Sequence, residues 1–316
     1  MLRRIVTHRK PFRFGIQGRT TGPRDEWLEM VRRVEGLGYS SFLALDHFVR
    51  GLDPVASLMA AAMATTTLRV GGLVFANDFR HPAVLAKAAA TIDVLSGGRF
   101  ELGIGAGWLK EEYDQTGIPF DPAPVRIERL TEAVHLLKRI FTEEPPVSFA
   151  GAHYTVDDLV CPPRPVQQPH PPFLIGGGGP RLLAVAAREA DIVGITTRAR
   201  RDGSKDTTDL TAAATAQKIA WIREAAGDRF AALELNIVVG DVVPTEDVPG
   251  EAAKLAARYG VSVEDILNSP QILLGSVAEM AERLEERRAR FGFSYIVVTE
   301  PNMEALAPVV ARLAGG

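Results

Sequence analysis

Residues 68–105, LRVGGLVFANDFRHPAVLAKAAATIDVLSGGRFELGIG, contain a complete strand–helix–strand unit. The runs at 68–75 and 99–105 are short, apolar and rich in β-branched or aromatic residues, which is typical of buried strands. Between them the segment Arg80-His81-Pro82 opens a helix, since proline suits the first helical turn. This order of elements predicts a parallel βαβ unit.

The same alternation continues on both sides of this unit. Eight apolar runs are present: FRFGIQ (12–17), SSFLAL (40–45), LRVGGLVF (68–75), RFELGIG (99–105), PFLIGG (172–177), DIVGI (191–195), ELNIVV (234–239) and YIVVTE (295–300). Helical patterns with apolar residues three and four apart separate them, as at Trp27, Val31 and Val34. Eight strands with crossover helices predict an α/β fold, the (β/α)8 TIM barrel. A doubly wound open sheet is the alternative, but the first strand–helix turn, IQGRTTGPRD, lacks its nucleotide-binding fingerprint.

The 316 residues, 46% hydrophobic and 24% charged, suit a single barrel domain spanning 1–316. Two connections are longer than a minimal barrel needs. A proline-rich insertion at about 143–171 precedes the fifth strand, and a basic loop at about 196–212 is predicted to be mobile. We expect both to be able to cover the barrel mouth. A third long stretch, 240–275, predicts a helix at 249–258.

Composition excludes several classes of function. The net charge of −3, without blocks of one sign, predicts no nucleic-acid or membrane partner. The start of the chain lacks the apolar region of a secretory signal, so we expect a cytoplasmic protein. The single cysteine, Cys161, excludes an intrachain disulfide, and the chain has no CxxC, HExxH or Walker motif. No metal site is therefore expected.

Reactive groups in such barrels gather at the carboxyl ends of the strands. The second run ends in LDHF, with Asp46 next to His47. A histidine beside a carboxylate can exchange a proton near neutral pH, so this pair predicts a proton relay. The alternative is a helix-capping aspartate above a packed histidine.

The third run contains Gly71 and Gly72, which mark either a close approach of the backbone to a ligand or a bend needed for barrel closure. Arg80, which follows, either binds an anion or pairs with a nearby acid; we favour the second.

The fourth run continues into GIGAGW (103–108), which has neither the dinucleotide nor the P-loop spacing. Its exposed backbone could lie against a flat ligand, with Trp108 as an aromatic wall. Glu111 and Glu112 are interpreted as a solvated first helical turn.

The fifth run ends in LIGGGGP (174–180), where glycines precede a proline and a helix. Free N–H groups and the positive end of a helix dipole predict a phosphate site there; the alternative is a tight turn. After the sixth run, Thr196 and Thr197 could complete that site. The basic residues from Arg198 to Lys205 suit either a polyanionic tail or, preferably, a solvated loop.

Taken together, LDHF, GGLV, FRHP, LAKAAATIDVLSGGRFELGIGAGW and LIGGGGPRLLAVAAREADIVGI resemble the bacterial luciferase-like superfamily of flavin and deazaflavin barrels over about residues 12–200. Within it the chain is most similar to oxidoreductases that use coenzyme F420, a 5-deazaflavin. The resemblance implies a deazaflavin lying across the strand carboxyl ends, and a homodimer.

The resemblance also assigns roles to residues. It implies that Asp46 and His47 lie over the reactive ring, and that a non-prolyl cis peptide at Gly72-Leu73 backs that ring. The implied cofactor-binding residues are Asp46, Gly72, Leu73, Gly105, Ala106, Gly107, Gly176, Gly177, Gly178, Gly179, Pro180 and Thr196. Trp108 stands where the sugar-phosphate dehydrogenases of the family have a glutamate, which argues against glucose 6-phosphate as substrate.

The expected function is an F420-dependent oxidoreductase that transfers a hydride between C5 of the deazaflavin and a small organic substrate. His47, steadied by Asp46, would exchange the accompanying proton, and Trp108 would shape the substrate side. Alternatives are an FMN-dependent two-component monooxygenase or a non-catalytic flavin-binding protein. A phosphosugar isomerase or aldolase barrel would need a lysine or glutamate at a strand end, and none of the seven lysines is placed there.

Overall fold

A computed structural model describes residues 10–200 and 204–315. The strands are β1 Arg13–Gly18, β2 Ser41–Ala44, β3 Arg69–Gly72, β4 Phe75–Ala76, β5 Phe100–Gly105, β6 Val147–Ala150, β7 Thr155–Leu159, β8 Phe173–Gly177, β9 Ile192–Ile195, β10 Glu234–Val239, β11 Asp241–Pro244, β12 Ile272–Gly275 and β13 Phe293–Thr299. The α-helices are α1 Arg24–Gly36, α2 Pro54–Ala64, α3 Pro82–Leu95, α4 Lys110–Thr116, α5 Ala123–Thr142, α6 Pro180–Glu189, α7 Ala212–Ala226, α8 Val248–Tyr259, α9 Val263–Asn268, α10 Val277–Phe291 and α11 Met303–Leu313.

Eight parallel strands close into a barrel. Around the ring the order is β1, β2, β3, β5, β8, β9, β10 and β13, and β13 pairs again with β1. The TIM-barrel prediction is confirmed, and each of the eight predicted runs overlaps a barrel strand. The run at 68–75 is divided, because β3 is followed by the two-residue β4, which pairs with β5 separately.

The paired glycines of β3 lie against a neighbouring strand. A Cβ at Gly71 would stand 2.5 Å from the backbone oxygen of Glu101, and one at Gly72 would stand 3.1 Å from that of Gly103. The close approach is therefore between β3 and β5, as barrel closure requires. The non-proline cis bond joins Leu73 to Val74, so the position expected at Gly72-Leu73 is wrong by one residue.

The helices cover the outside of the barrel with their apolar faces. On α1 the residues Trp27, Val31 and Val34 are buried, and on α5 Leu130 and Val134 are buried in the same cluster. These are the positions that the three-and-four spacing predicts, since such residues share one helix face.

A buried ionic cluster closes the amino-terminal end of the barrel. The carboxylate of Glu101 accepts from Arg13 at 2.6 Å and from Arg69 at 2.7 Å, and Arg13 also bonds Glu234. The Arg13 guanidinium lies 4.0 Å from the ring centre of Tyr295. Burial pushes the pKa of Glu101 upward, but the two guanidiniums outweigh it and hold that pKa below its ordinary value. The cluster holds strands from several parts of the chain together.

The proline-rich insertion forms an antiparallel hairpin, β6–β7, on the outer side of α5. The carboxylate of Glu132 on α5 accepts the backbone N–H groups of Ala152, His153 and Tyr154. No residue of 143–171 lines the cavity at the barrel mouth. The hairpin therefore packs on α5, and its Tyr154 reaches Asn77 in the turn after β4, but it supplies no residue to the wall of the cavity.

Residues 240–275 form an additional unit of two strands and two helices outside the barrel ring. Strands β11 and β12 pair in parallel, and α8 confirms the helix predicted at 249–258. An apolar cluster that includes Leu210, Leu255 and Ile266 forms the core of this unit. Across the described part of the chain, no helix has both the length and the apolar character needed to cross a bilayer.

Candidate functional site

A cavity of about 1000 Å³ opens at the carboxyl ends of the barrel strands. The residues predicted from sequence that line it are Asp46, His47, Leu73, Gly105, Ala106, Gly107, Trp108, Gly176, Gly177, Gly178, Gly179, Pro180 and Thr196. Gly72 is not among the lining residues, because it packs inside the barrel wall. The structure thus brings all but one of the predicted residues to one cavity.

His47 is held by Glu112. Nδ1 of His47 lies 2.8 Å from Oε2 of Glu112, and the other carboxylate oxygen accepts the backbone N–H of Phe48 at 2.8 Å. Glu112 is only 1% exposed, so it is not part of a solvated helical turn, as the sequence suggested. A carboxylate accepts and does not donate, so Nδ1 of His47 carries the proton. Nε2 has no hydrogen-bond partner within the described residues and belongs to a side chain that lines the cavity.

Asp46 does not steady His47, which corrects the expected relay. Its carboxylate bonds Arg80 at 2.5 and 3.1 Å and accepts the backbone N–H of Ala76 at 2.8 Å. Asp46 therefore ties the end of β2 to β4 and the turn that follows. The expectation that Arg80 pairs with a nearby acid is confirmed.

The side chains of Tyr113 and Arg126 pack against the loop that follows β5. Gly107 has a φ of +71°, and a Cβ there would overlap the Tyr113 hydroxyl. Arg126 donates to the backbone oxygen of Ala106 at 2.9 Å and also to that of Gly107. Glycine is required because its left-handed conformation and its contact leave no room for a side chain. Trp108 directly follows this rigid loop and packs edge-on against His47, with 5.8 Å between ring centres.

The glycine loop runs from β8 into α6. No side chain caps this helix, and Pro180 occupies its first turn, so the N–H groups of Arg181 and Leu182 have no partner within the helix. A Cβ on Gly178 would stand 2.7 Å from backbone atoms of Thr197 and Arg198. The loop therefore packs directly on the segment after β9, as only glycine allows.

A buried ion pair fixes that segment. Lys218 and Asp209, each 1% exposed, lie 2.6 Å apart, and Lys218 also donates to the backbone oxygen of Thr196 at 2.9 Å. Asp209 accepts the backbone N–H of Arg198 at 2.7 Å. Part of the basic loop is thus anchored by α7. Of this loop, residues 201–203 lie outside the described residues, and its predicted mobility remains a prediction.

The sequence interpretation did not assign Glu112, Lys205 and Asn236 to the site, nor Arg19 and Arg50, although all of them line the cavity. Glu112 was dismissed because an acid in a first helical turn is common. Lys205, assigned to a solvated loop, reaches into the cavity with Nζ 4.5 Å from the ring centre of Trp108. Asn236, inside β10, donates to the backbone oxygen of Tyr295, while its buried Oδ1 has no partner. A polar residue in an otherwise apolar strand, ELNIVV, was the available signal for Asn236.

Among residues 10–200 and 204–315, no three His, Cys, Asp or Glu side chains come together in a way that could hold a metal ion.

We predict that Glu112→Gln moves the proton of His47 from Nδ1 to Nε2. The amide oxygen can still accept from Phe48, but the amide NH2 then faces Nδ1, which must become the acceptor. The ¹⁵N chemical shifts of the His47 ring distinguish the two tautomers. The control is Glu111→Gln, because the exposed Glu111 bonds only Gln115 on its own helix. A His47 that stays protonated at Nδ1 in Glu112→Gln contradicts this assignment.

The comparison with known sequences finds relatives that use two different cofactors. The F420-dependent glucose-6-phosphate dehydrogenase of Intrasporangium calvum is 37% identical over 180 residues, which cover 54% of this chain and 53% of that protein. The FMNH2-dependent dimethylsulfone monooxygenase of Pseudomonas putida is 30% identical over 182 residues, covering 56% and 50%. The chain thus spans about half the length of the curated relatives it matches.

Solved structures agree with the fold. An F420-dependent secondary alcohol dehydrogenase in complex with an F420–acetone adduct superposes with a TM-score of 0.74 at 19% identity, covering 95% of this chain and 97% of that one. The F420-dependent tetrahydromethanopterin reductase of Methanopyrus kandleri gives 0.75 at 18% identity, covering 96% and 100%. At such identities the likeness concerns the fold. The profile of the luciferase-like monooxygenases matches residues 8–228, more than half of the sequence, and the chain therefore belongs to the luciferase-like monooxygenase family.

Proposed function

We propose that the protein is an F420-dependent oxidoreductase that transfers a hydride between C5 of the deazaflavin and a small organic substrate. The observation that carries the proposal is His47, whose Nε2 has no partner among the described residues and which lines a cavity beside an uncapped, glycine-lined helix terminus. Curated relatives of 37% and 35% identity are F420-dependent dehydrogenases, which supports the choice of cofactor.

The residues present fit such a cofactor. The glycine backbone of residues 176–179 and the unpaired N–H groups at the start of α6 suit its phosphate, because amides and the helix dipole both favour an anion. The buried Oδ1 of Asn236 has no protein donor and suits an N–H of a flat heterocycle. Gly105, Ala106 and Gly107 leave the wall free of bulky side chains at the position where a ring would lie.

In the proposed reaction the cofactor, when bound, supplies the carbon that accepts or gives the hydride. The part of this chain is to hold a proton and to position the partners. His47 takes a proton from the substrate oxygen, or returns it, at Nε2, while Glu112 keeps the ring oriented and compensates the positive charge. Trp108 bounds the substrate side and, with the apolar Leu73 and Val74, limits the access of water.

Separate titrations with F420 and with FMN test the cofactor assignment. We expect F420 to bind at least about tenfold more tightly, a difference of about 1.4 kcal/mol. Calorimetry on the purified protein measures both affinities. Tighter binding of FMN would instead favour the monooxygenase alternative, which the relative from Pseudomonas putida keeps open.

We further predict that Gly178→Ala weakens F420 binding by about tenfold or more. The added Cβ would contact the backbone of Thr197 and Arg198 at 2.7 Å, so the loop must move away from its phosphate-binding position. The control is Gly36→Ala on α1, where an added Cβ meets nothing within 4 Å. Unchanged F420 affinity in Gly178→Ala would remove this loop from the phosphate site.

A further inference from the structure

The cavity carries more positive charge than its own carboxylates can balance. Its lining contains three carboxylates, Asp46, Glu112 and Asp121. Each is already engaged: Asp46 by Arg80, Glu112 by His47 and two backbone amides, and Asp121 by Arg129. None is left to pair with a cation inside the cavity.

Several of the lining cations have partners of their own. Arg198 pairs with Asp209, Arg200 pairs with Asp206, and Arg126 is bound to backbone oxygens. Arg181 lies at the first turn of α6, on the side of the glycine loop. The charges of these groups are therefore balanced by other protein groups or assigned to the proposed phosphate site.

Arg50 and Lys205 differ from these cations, because the described residues provide no carboxylate partner for either of them. The Nε of Arg50 is buried with no hydrogen-bond partner. Arg19 lies close enough to Arg50 for the two charges to repel, although Glu300 offsets part of this repulsion, and among the described residues its guanidinium bonds the neutral Gln17. A partly buried group of like charges is unfavourable until an anion joins it.

These cations come from loops on different sides of the mouth. Arg19 follows β1 and Arg50 follows β2, whereas Lys205 follows β9, four positions from β2 in the ring of eight. Burial, followed by the positive charges of Lys218 and Arg50, lowers the pKa of Lys205 to about 8. Charges on opposite loops therefore lie close enough to interact across the cavity.

One of these charges lies beside the proposed reaction centre. Nζ of Lys205 lies 4.5 Å from the ring centre of Trp108, and the His47 ring packs against the same indole. One small molecule in contact with Trp108 can thus reach both Lys205 and the His47 ring.

We propose that the substrate carries an anionic group, a carboxylate or a phosphate, which Arg50 and Lys205 bind with help from Arg19, and that this holds the reacting carbon beside His47. The proposal rests on the proposed function, since the glycine loop is taken to hold the cofactor phosphate. The same cations could instead hold anionic groups of the cofactor itself, and the experiment separates these two sources.

The test uses protein saturated with F420, so that the glycine loop is filled, and inorganic phosphate as the probe. Melting temperatures are measured with increasing phosphate at constant ionic strength, because a ligand of the native state raises the melting temperature. We expect a rise in the wild type and an apparent Kd at least about tenfold higher in Lys205→Met and in Arg50→Gln. Lys254→Met, which removes an exposed lysine on α8, is expected to behave as the wild type.

The F420 affinity of each variant, measured by calorimetry, completes the experiment. Equal F420 affinity with lost phosphate binding supports the inference. A tenfold loss of F420 affinity in the variants would assign the cations to the cofactor tail and overturn it. If wild-type protein binds F420 but phosphate does not raise its melting temperature, the inference about the substrate is overturned while the proposed function stands. Absence of F420 binding to the wild type would overturn the proposed function itself.

Discussion

His47→Ala is expected to lower the rate of hydride transfer by about 10²–10⁴-fold, the usual contribution of a positioned acid or base. The variant loses the Nε2 that exchanges the substrate proton, while the glycine loop on the other side of the cavity is untouched. We therefore expect F420 affinity within about threefold of the wild type, or less than about 0.7 kcal/mol. The combination of lost rate and retained binding distinguishes a catalytic role from a structural one.

The measurement is single-turnover absorbance of the deazaflavin, with the most active compound from a screen of alcohols, organic acids and phosphate esters. His135→Ala is the matched control, because His135 lies on α5 outside the cavity with its side chain 49% exposed. Transfer rates in His47→Ala equal to those of the wild type would remove the role assigned to His47.

Glu101→Gln is expected to reduce the free energy of unfolding by about 3–5 kcal/mol, the cost of leaving a buried charge without its partner. The amide fills the same volume, so the loss comes mainly from the guanidinium of Arg69, which loses its carboxylate partner, while Arg13 keeps its pair with Glu234. Urea unfolding at pH 7 measures the difference. Glu251→Gln is the control, because its pair with Lys254 has the same 2.6 Å separation but lies at the surface, where such pairs contribute less than about 1 kcal/mol.

The effect of Glu101→Gln also depends on pH in a known direction. The folded-state pKa of Glu101 lies below its unfolded value, so the carboxylate stabilises the barrel above the unfolded value of about 4.3. That stabilisation is lost as the pH falls through the folded pKa. The stability deficit of Glu101→Gln should therefore begin to shrink as the pH falls below about 4.3 and go on shrinking toward the folded pKa. A deficit that stays constant to pH 3 would contradict the charge explanation.

The architecture was predictable because its signals are local. Alternation of strands and helices, glycines at strand ends and Pro180 at a helix start each follow from short stretches of sequence. Gly71 and Gly72 left two interpretations open, contact with a ligand or barrel closure, and the structure supports closure of β3 against β5; the cis bond was expected one residue too early.

The pairing of charges was not predictable in the same way. Glu112 meets His47 across 65 positions, and Glu101 meets Arg13 across 88, so no spacing rule connects them. Adjacency in the sequence instead suggested Asp46 as the partner of His47, whereas in the structure Asp46 forms an ion pair with Arg80. Where neighbours in space are remote in the chain, only the assembled barrel identifies the partner.

The placement of Trp108 has a practical consequence. The chain contains three tryptophans; Trp27 is buried on the inner face of α1, Trp221 lies on α7, and of the three only Trp108 lines the cavity. Indole emission is quenched or shifted by groups in contact with the ring. Replacing Trp27 and Trp221 with phenylalanine would leave Trp108 as the single tryptophan, at the mouth of the cavity. Its emission would then report, in real time and without a label, the binding and release of ligands.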